Sequence, residues 1–269
     1  MNNFSEISLS APLRSNLLKH GYSKPTPVQA QAIEPALAGS DVVATAQTGT
    51  GKTLAFVLPV IQTIGRLIGQ QPSPSGIRAV ILSPTRELAI QTEETFAKMA
   101  VGTGVRATIA IGGLNERPQL TSIRKGAQVL IATPGRLYDF LSRQLVDLGS
   151  VRILVLDEAD RMLDLGFLPT IKRLMAAMPP DRQTLFFSAT IESSVKHLVE
   201  THVRNAVPLR SVPSANPLRR WSSIFTKSSR IESWVSWLGC YGRRRAPSWY
   251  SHAQNTAPTG CRKSSRAKV

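Results

Sequence analysis

The stretch Thr45-Ala46-Gln47-Thr48-Gly49-Thr50-Gly51-Lys52-Thr53 decides the fold of this chain. The apolar run 41–44 before it predicts a short buried strand, and the apolar run 54–58 after it predicts the body of a helix. A strand, a glycine-bearing turn that ends in Gly-Lys-Thr, and a helix together form the context of a phosphate-binding loop. The alternative is a Gly/Thr-rich connector, which the flanking strand and helix disfavour.

Each residue type in this loop suits the binding of a triphosphate. Glycines let backbone N–H groups converge on an anion without interference from Cβ atoms, and the start of the next helix adds unpaired donors and partial positive charge. Lys52 is placed to reach the β- and γ-phosphates, and the Thr53 hydroxyl is placed to ligate Mg²⁺. Ala46 departs from the general pattern, which opens with Gly.

Composition limits the class of protein. With 269 residues, 42% of them hydrophobic, the chain can hold one or two domains with a real core. The chain contains no run of about 18 apolar residues, so no membrane span is predicted. The first six residues do not resemble a secretory signal. Cys240 and Cys261, far apart near the end of the chain, match no metal-binding spacing and do not form the pattern of a disulfide framework. We therefore expect a cytoplasmic protein that does not contact a membrane.

The net charge of +16 is unevenly distributed. Residues 1–207 hold 21 basic and 16 acidic side chains, a net charge of +5, whereas residues 208–269 hold 12 and 1, a net charge of +11. The second segment also lacks the sustained periodicity that indicates a core. We predict that residues 208–269 form a basic, disordered tail.

Strands and helices alternate along the first segment. Further strands are predicted at 79–82, 106–111, 128–132, 152–156 and 184–187. This alternation predicts an α/β fold, with a parallel sheet and helices on both faces. Polar or glycine turns follow the strands, and ligands of such sheets gather at the carboxyl ends of the strands. We expect the functional site at that edge.

An acidic pair follows the strand predicted at 152–156. Asp157 leaves this apolar strand beside the phosphate loop, where it can hold Mg²⁺ directly or through water. Glu158, next to it, can orient and deprotonate an attacking water. A solvated acidic turn is the alternative.

The N-terminal segment predicts a helix over 12–20 and, after Pro27, another over 28–37. The Gln29 carboxamide can both donate to and accept from an adenine edge, and Tyr22 offers a stacking face. A glutamine at a helix start is otherwise usually solvated.

Seven short motifs occur in order, at 21–29, 46–53, 84–88, 112–113, 133–136, 157–160 and 188–190. Together they resemble the ordered motif set of the DEAD-box ATP-dependent RNA helicases. Residues 161–164 and 166–167 are most similar to the bacterial RhlE-type subgroup. The resemblance covers about residues 1–207, and its specificity lies in the complete ordered set.

The resemblance implies a first RecA-like, ATP-binding domain over 31–207, preceded at 1–30 by a helix and the adenine-recognition motif. It implies ATP and Mg²⁺ as cofactors and RNA as the partner, single-stranded or duplex and read independently of sequence. The implied nucleotide contacts are Phe4, Tyr22, Lys24, Gln29, Ala46, Gln47, Thr48, Gly49, Thr50, Gly51, Lys52 and Thr53. The implied catalytic residues are Lys52, Asp157 and Glu158. Thr53 and Asp157 are the implied ligands of Mg²⁺, partly through water.

The resemblance also implies an RNA surface and a link between the two sites. The implied RNA contacts are Pro84, Thr85, Arg86, Gly113, Thr133, Pro134, Gly135 and Arg136. Hydroxyls and helix starts that contact sugar and phosphate suit binding without sequence preference. Asp160, Ser188 and Thr190 resemble the residues that couple the ATP state to the grip on RNA.

The family pattern stops near Val207. Members of the family carry a second RecA-like domain that supplies arginine fingers, and no arginine-rich motif of that kind follows here. If plausible codons are chosen for residues 225–241 and 249–269 and read one nucleotide earlier, the resulting translations can resemble segments of the second domain. This favours a frameshifted tail over a basic RNA-binding extension.

Three functions compete at this point. The first is RNA-stimulated ATP hydrolysis coupled to local separation of RNA duplexes. The second is a catalytically incompetent module that binds ATP and RNA, and the third is a phosphate-loop enzyme that acts on DNA or protein. Gln29 and the motif 157–160 argue against the third.

Overall fold

The computed structural model describes residues 3–47, 49–70, 76–203 and 207–210. The strands are β1 (Val42–Thr45), β2 (Ala79–Leu82), β3 (Ala107–Ala110), β4 (Val129–Ala132), β5 (Ile153–Leu156), β6 (Gln183–Ser188) and β7 (Val207–Arg210). The helices are α1 (Ala11–Lys19), α2 (Pro27–Leu37), α3 (Lys52–Gln70), α4 (Arg86–Ala100), α5 (Glu116–Arg124), α6 (Pro134–Ser142), α7 (Ala159–Asp164), α8 (Leu168–Ala176) and α9 (Ser193–His202). A 3-10 turn at Phe4–Glu6 precedes them.

The strands form one sheet in the order β3-β4-β2-β5-β6-β1-β7, and every recorded pairing is parallel. The predicted parallel α/β fold is therefore confirmed. Strands β2, β4 and β5 are buried at every position, as expected where helices cover both faces of a parallel sheet. This burial explains why they read as unbroken apolar runs rather than alternating ones.

Strand β7 was not predicted from the sequence. It pairs with β1 in the register Val42↔Val207, where the Val207 amide donates to the Asp41 carbonyl at 2.9 Å, and Leu209 enters the core. The domain boundary predicted at Val207 thus falls on the first residue of this strand. The predicted tail and its frameshift otherwise concern residues outside the described ranges.

The N-terminal segment shares the core of the sheet domain. Phe4, Leu13 and Leu17 belong to the same cluster of buried side chains as the sheet. The Asn16 amide nitrogen donates to the carbonyls of Met99 and Val101, at 2.9 and 2.8 Å. These two bonds fix α1 against the end of α4.

Helix α3 follows the phosphate loop and packs against α2 and α4. Within the described part of the chain it alone is long and apolar enough, by length and composition, to cross a membrane. Half of its apolar window is buried inside the domain, as in the core helix of a soluble fold. This helix is therefore a weak indication of a membrane span.

Because the strands are parallel, their carboxyl ends share one edge. Helices α4, α5 and α6 begin at that edge after the neighbouring strands β2, β3 and β4. The phosphate loop leaves the same edge after β1, and the acidic pair leaves it after β5. The topology thus gathers the predicted motifs along one side of the molecule.

Candidate functional site

The phosphate loop needs glycine at two positions. Gly49 and Gly51 both have φ of +85°, in the left-handed region that favours glycine. The Thr50 hydroxyl donates to the Gln47 carbonyl at 2.7 Å and closes the loop on itself, while Thr48 lies outside the described residues. Ala46 is buried, and its amide donates to the Ser188 carbonyl at 2.9 Å. Its φ is not positive, so alanine fits where the general pattern has glycine.

Gln29 connects helix α2 to this loop. Its amide nitrogen donates to the Gly51 carbonyl at 2.9 Å, and its amide oxygen accepts from the Thr26 backbone N–H at 2.9 Å. A Cβ on Gly51 would lie 2.6 Å from the Gln29 amide nitrogen. The carboxamide is therefore buried against the loop rather than solvated, and its contact with adenine stays a prediction.

Lys52 and Asp157 are buried charges close enough to interact electrostatically. Lys52 is 6% exposed and Asp157 is 5% exposed. Among the described residues, neither the Lys52 Nζ nor the Asp157 Oδ1 atom has a hydrogen-bond partner. Burial raises the pKa of Asp157 to about 6, although the Lys52 ammonium acts in the opposite direction. Buried charges that lack hydrogen bonds are costly, and a bound phosphate with a cation would supply the missing partners.

This arrangement fits a magnesium ion held mainly by its substrate. The described residues contain no cluster of three His, Cys, Asp or Glu side chains that could hold a metal by themselves. Mg²⁺ is typically bound by one or two protein oxygens, with phosphate and water completing the shell. Thr53 and Asp157 offer such a pair of oxygens beside the phosphate loop.

Glu158 has an unusual backbone. Its φ of 51° and ψ of 52° place it in the left-handed region at the start of α7, which costs free energy for a residue other than glycine. Its carboxylate is buried, and the Arg161 Nη1 atom lies 3.5 Å from its Oε2. Strained backbone of this kind often marks a functional residue.

Asp160, Ser188 and Thr190 form one hydrogen-bonded group. The Asp160 Oδ2 atom accepts from the Ala189 amide at 3.0 Å, from the Thr190 amide at 2.8 Å and from the Thr190 hydroxyl at 3.0 Å. The Ser188 hydroxyl donates to the Thr190 carbonyl at 2.7 Å. The structure thus brings together the three residues predicted to couple the two sites, and the coupling itself stays a prediction.

The other predicted adenine contacts lie in the N-terminal segment. Phe4 is buried in the core, and its amide donates to the Ser23 carbonyl at 3.3 Å. Tyr22 and Lys24 are exposed between α1 and α2. Tyr22 therefore has a face open to a ligand, while Phe4 acts here as a packing residue that supports the turn.

Three helix starts lie side by side on the other half of the edge. The Thr85 hydroxyl caps α4 by accepting from the Leu88 amide at 3.4 Å. The Asn115 side chain caps α5 by accepting from the Arg117 amide at 3.0 Å. Thr133 precedes α6, whose first residue is Pro134. Helix starts offer unpaired N–H groups and partial positive charge, so this row favours anions.

Arg86 lies directly over Gly113. A Cβ added to Gly113, whose φ is +76°, would collide with the Arg86 guanidinium. Glycine at this position therefore lets the arginine rest on the backbone at the start of α5. Of the remaining predicted RNA contacts, Pro84 is buried and Gly135 is exposed.

Arg136 belongs to an ion cluster that the sequence did not predict. Its guanidinium carbon lies 5.3 Å from the centre of the Phe140 ring, and its Nη1 lies 3.8 Å from the Glu116 Oε2. Arg143 donates to both carboxylate oxygens of Glu116, at 2.8 and 3.0 Å. These bonds from Arg143 hold the pKa of Glu116 below its ordinary value. The only sequence signal was the seven-residue spacing of Arg136 and Arg143, which places both on one face of α6.

Comparison with known proteins shows the family. The DEAD/DEAH box helicase family model matches residues 26–198. The chain is 45% identical over 195 residues to the ATP-dependent RNA helicase CshA of Limosilactobacillus reuteri, covering 72% of this chain and 38% of that protein. It is 42% identical over 205 residues to the probable ATP-dependent RNA helicase ddx27 of Dictyostelium discoideum, covering 76% of this chain and 26% of that protein.

A solved structure agrees with these relatives. The crystal structure of a DEAD box protein from the hyperthermophile Methanococcus jannaschii superposes with a TM-score of 0.73 at 31% identity, over 79% of this chain and 56% of that one. The match covers well under half the length of each of the two curated relatives named above. The motifs, the sheet and the relatives agree: the chain belongs to the DEAD/DEAH box helicase family.

Proposed function

We propose that this chain binds ATP with Mg²⁺ at residues 46–53 and RNA at the starts of α4, α5 and α6. In this proposal it is the ATP-binding part of an ATP-dependent RNA helicase. The observation that carries the proposal is the buried pair Lys52 and Asp157, each with a polar atom that has no hydrogen-bond partner among the described residues. A nucleotide phosphate with a divalent cation supplies partners to both.

Lys52 neutralises charge on the β- and γ-phosphates, because its ammonium is held at the start of α3, where the helix dipole also favours anions. The hydroxyl of Thr53 and the carboxylate of Asp157 would hold Mg²⁺, in part through water, and the ion would supply neutralisation of charge on the phosphoryl oxygens. Glu158 orients and deprotonates the attacking water.

Adenine selection falls to the N-terminal segment. Gln29 is tied to the Gly51 carbonyl, so contact with a base at Gln29 is transmitted directly to the phosphate loop. Tyr22 provides a stacking face and Lys24 an exposed cation at the adenine site, while Phe4 supports the turn from the core.

RNA binding rests on the row of three helix starts. Arg86 and Arg136 supply positive charge, and Thr85 and Thr133 supply hydroxyls, beside exposed backbone at Gly113 and Gly135. Contacts of this type reach sugar and phosphate rather than base edges, so they carry no sequence information. We expect binding of single strands that depends on salt but little on sequence.

A second candidate is a module that binds ATP and RNA but turns over slowly. It is favoured by the sequence after Val207, because residues 208–269 contain no arginine-rich motif like that of the second domain. Phosphoryl-transfer enzymes gain about 10³–10⁵-fold in rate from an arginine finger, and the resemblance places those arginines in a second domain. Under this candidate Lys52 still binds nucleotide, but RNA does not raise the hydrolysis rate.

Steady-state ATP hydrolysis by the 269-residue chain tests both candidates. It is measured with single-stranded RNA, with DNA of the same sequence, and without nucleic acid, for the wild type and for Lys52→Ala. The matched control is Lys98→Ala, which removes an exposed lysine from the last turn of α4. RNA-stimulated hydrolysis lost in Lys52→Ala alone supports the helicase. Nucleotide binding without stimulation supports the module, and equal stimulation by DNA contradicts the RNA assignment.

A further inference from the structure

The ion cluster between α5 and α6 contains a carboxylate beside a proposed RNA contact. Glu116 is the first residue of α5, and Arg136 and Arg143 lie seven residues apart in and just after α6. The Glu116 carboxylate lies between them, 2.8 Å from Arg143 and 3.8 Å from Arg136. The side chains of Glu116 and Arg143 are 36% and 45% exposed, whereas that of Arg136 is 17% exposed.

The two arginines hold this carboxylate very unequally. Arg143 forms a two-pronged pair with it, one N–H to each oxygen, which is the strongest geometry for an exposed arginine and carboxylate. Arg143 is itself fixed by a third bond, 3.1 Å long, to Asp139 one helical turn earlier. Arg136 only approaches the carboxylate and instead lies over the Phe140 ring. Arg136 therefore forms only one long ion pair with this carboxylate, at 3.8 Å.

An anion so close to Arg136 is a competitor for RNA phosphate. If Glu116 lost its partner Arg143, Arg136 would be its nearest remaining cation and would close the gap of 3.8 Å. The guanidinium would then have to break an ion pair before it could bind a phosphate. Pairing Glu116 with Arg143 weakens this competition, because it keeps the carboxylate 3.8 Å from Arg136.

We propose that Arg143 is a positioning residue for RNA binding: by holding the Glu116 carboxylate, it keeps Arg136 free to bind a backbone phosphate. The inference rests on the proposed RNA contact at Arg136. It assigns a function to an ion pair that is not part of any motif by which the chain was recognised.

Two simpler roles for these residues predict different results. If Arg143 contacts RNA itself, its loss weakens binding whether or not residue 116 is charged. If Glu116 is needed to hold Arg136 in place, its loss weakens binding as much as the loss of Arg136. In our proposal, the loss of Arg143 matters only while Glu116 is charged.

The test is a double-mutant cycle in the full chain with Arg143→Gln, Glu116→Gln and the two combined. The probe is a 4-thiouridine RNA decamer, cross-linked by light at increasing concentration and scored at the peptides that contain Gly113 and Thr133. This readout counts RNA at the helix starts and excludes RNA bound to the basic residues 208–269. Arg152→Gln is the control, because it removes the same charge from an exposed pair with Asp181 at the far end of β5.

We expect Arg143→Gln to weaken cross-linking about three- to fivefold, within the range of exposed ion pairs. It should also flatten the dependence of the logarithm of affinity on the logarithm of salt concentration by up to about 0.7, the value for one phosphate contact on a single strand. Glu116→Gln should bind at least as well as the wild type, and the double variant should match Glu116→Gln. Arg152→Gln should change neither quantity.

The proposal would be overturned if Arg143→Gln weakened RNA cross-linking equally in the wild type and in Glu116→Gln. It would also be overturned if Glu116→Gln alone weakened cross-linking. Arg136→Gln separates this failure from that of the proposed function. If Arg136→Gln leaves the cross-linking curve unchanged, the RNA assignment at α6 fails and this inference fails with it. If Arg136→Gln weakens cross-linking but the effects of Arg143→Gln and Glu116→Gln simply add, the RNA assignment stands and only the role of Arg143 is refuted.

Discussion

The two halves of the carboxyl edge present their charges in opposite ways. On the side of β1 and β5, Lys52 and Asp157 are buried and have polar atoms without hydrogen-bond partners among the described residues. On the side of β3 and β4, Arg136 lies beside a carboxylate and over an aromatic ring, in a cluster that water reaches. The first half lacks the partners that a ligand would bring, whereas the second already contains its own counter-charges.

This difference predicts how each half would bind its proposed ligand, nucleotide at β1 and β5 and RNA at β3 and β4. A buried charge acts at low effective dielectric, so its interaction with a phosphate is strong and little affected by salt. Exposed ion pairs contribute less, and salt weakens them further. We therefore expect substitutions in the nucleotide half to have large effects and those in the RNA half to have smaller, salt-dependent effects.

Among the glycine substitutions, the largest effect is expected from Gly51→Ala. The new Cβ would lie 2.6 Å from the Gln29 amide nitrogen, at a backbone φ of +85° that alanine avoids. Both the loop and its bond to α2 would have to move. We predict a loss of ADP affinity of about 100-fold or more, since strain of this kind costs about 1–3 kcal/mol before the collision is added.

Gly49→Ala is the matched control for that change. Gly49 has the same φ of +85°, but a Cβ there meets nothing within 4 Å. Gly49→Ala therefore has only the conformational cost of the left-handed backbone, so its loss of ADP affinity should be about tenfold. If calorimetry gives equal losses for the two variants, the contact between Gln29 and the loop does not matter for binding.

Asp157→Asn should have the next largest effect, on Mg²⁺ rather than on the fold. Asparagine keeps the shape of the side chain but cannot neutralise a cation. We predict that the gain in ADP affinity produced by Mg²⁺ falls about 10- to 100-fold, as for other residues that support a bound metal. The control Asp164→Asn changes an exposed aspartate at the end of α7 and should keep the full gain. An undiminished gain in Asp157→Asn would remove this residue from the metal site.

Gly113→Ala should have a smaller effect, on RNA. The added methyl group would collide with the Arg86 guanidinium and force both the arginine and a left-handed turn to shift. We predict about tenfold weaker cross-linking of the RNA decamer. Gly112→Ala is the control, because a Cβ there meets nothing within 4 Å and its φ is not positive. Equal effects of the two substitutions would show that the position of Arg86 over Gly113 is unimportant.

Local patterns were enough to predict the strands and the phosphate loop. Apolar runs before glycine or polar turns located β1 to β6. The runs are clearest for β2, β4 and β5, which are buried at every position, whereas burial alternates along β3. Strand β7 escaped prediction because Val207-Pro208-Leu209-Arg210 is short and contains a proline, which suits an edge strand but weakens the signal. Its pairing with β1 joins residues that are far apart in the sequence, such as Val42 and Val207.

The partners of single polar side chains were beyond the reach of the sequence. Gln29 was expected to face adenine, yet the structure also ties it to the Gly51 carbonyl. Glu116 and Arg143 lie 27 positions apart, and neither belongs to a motif. Such pairs arise from how α5 and α6 pack, and no local periodicity encodes that packing.

The division of the edge into a nucleotide half and an RNA half is tested most directly by comparing Lys52→Ala with Arg136→Gln in the full chain. ADP–Mg²⁺ affinity is measured by calorimetry, and RNA affinity by cross-linking of the decamer at the peptides with Gly113 and Thr133. We predict that Lys52→Ala loses nucleotide binding and keeps RNA binding without nucleotide, while Arg136→Gln weakens RNA binding and keeps nucleotide binding. Normal nucleotide binding by Lys52→Ala, or equal loss of both ligands in either variant, would contradict this assignment.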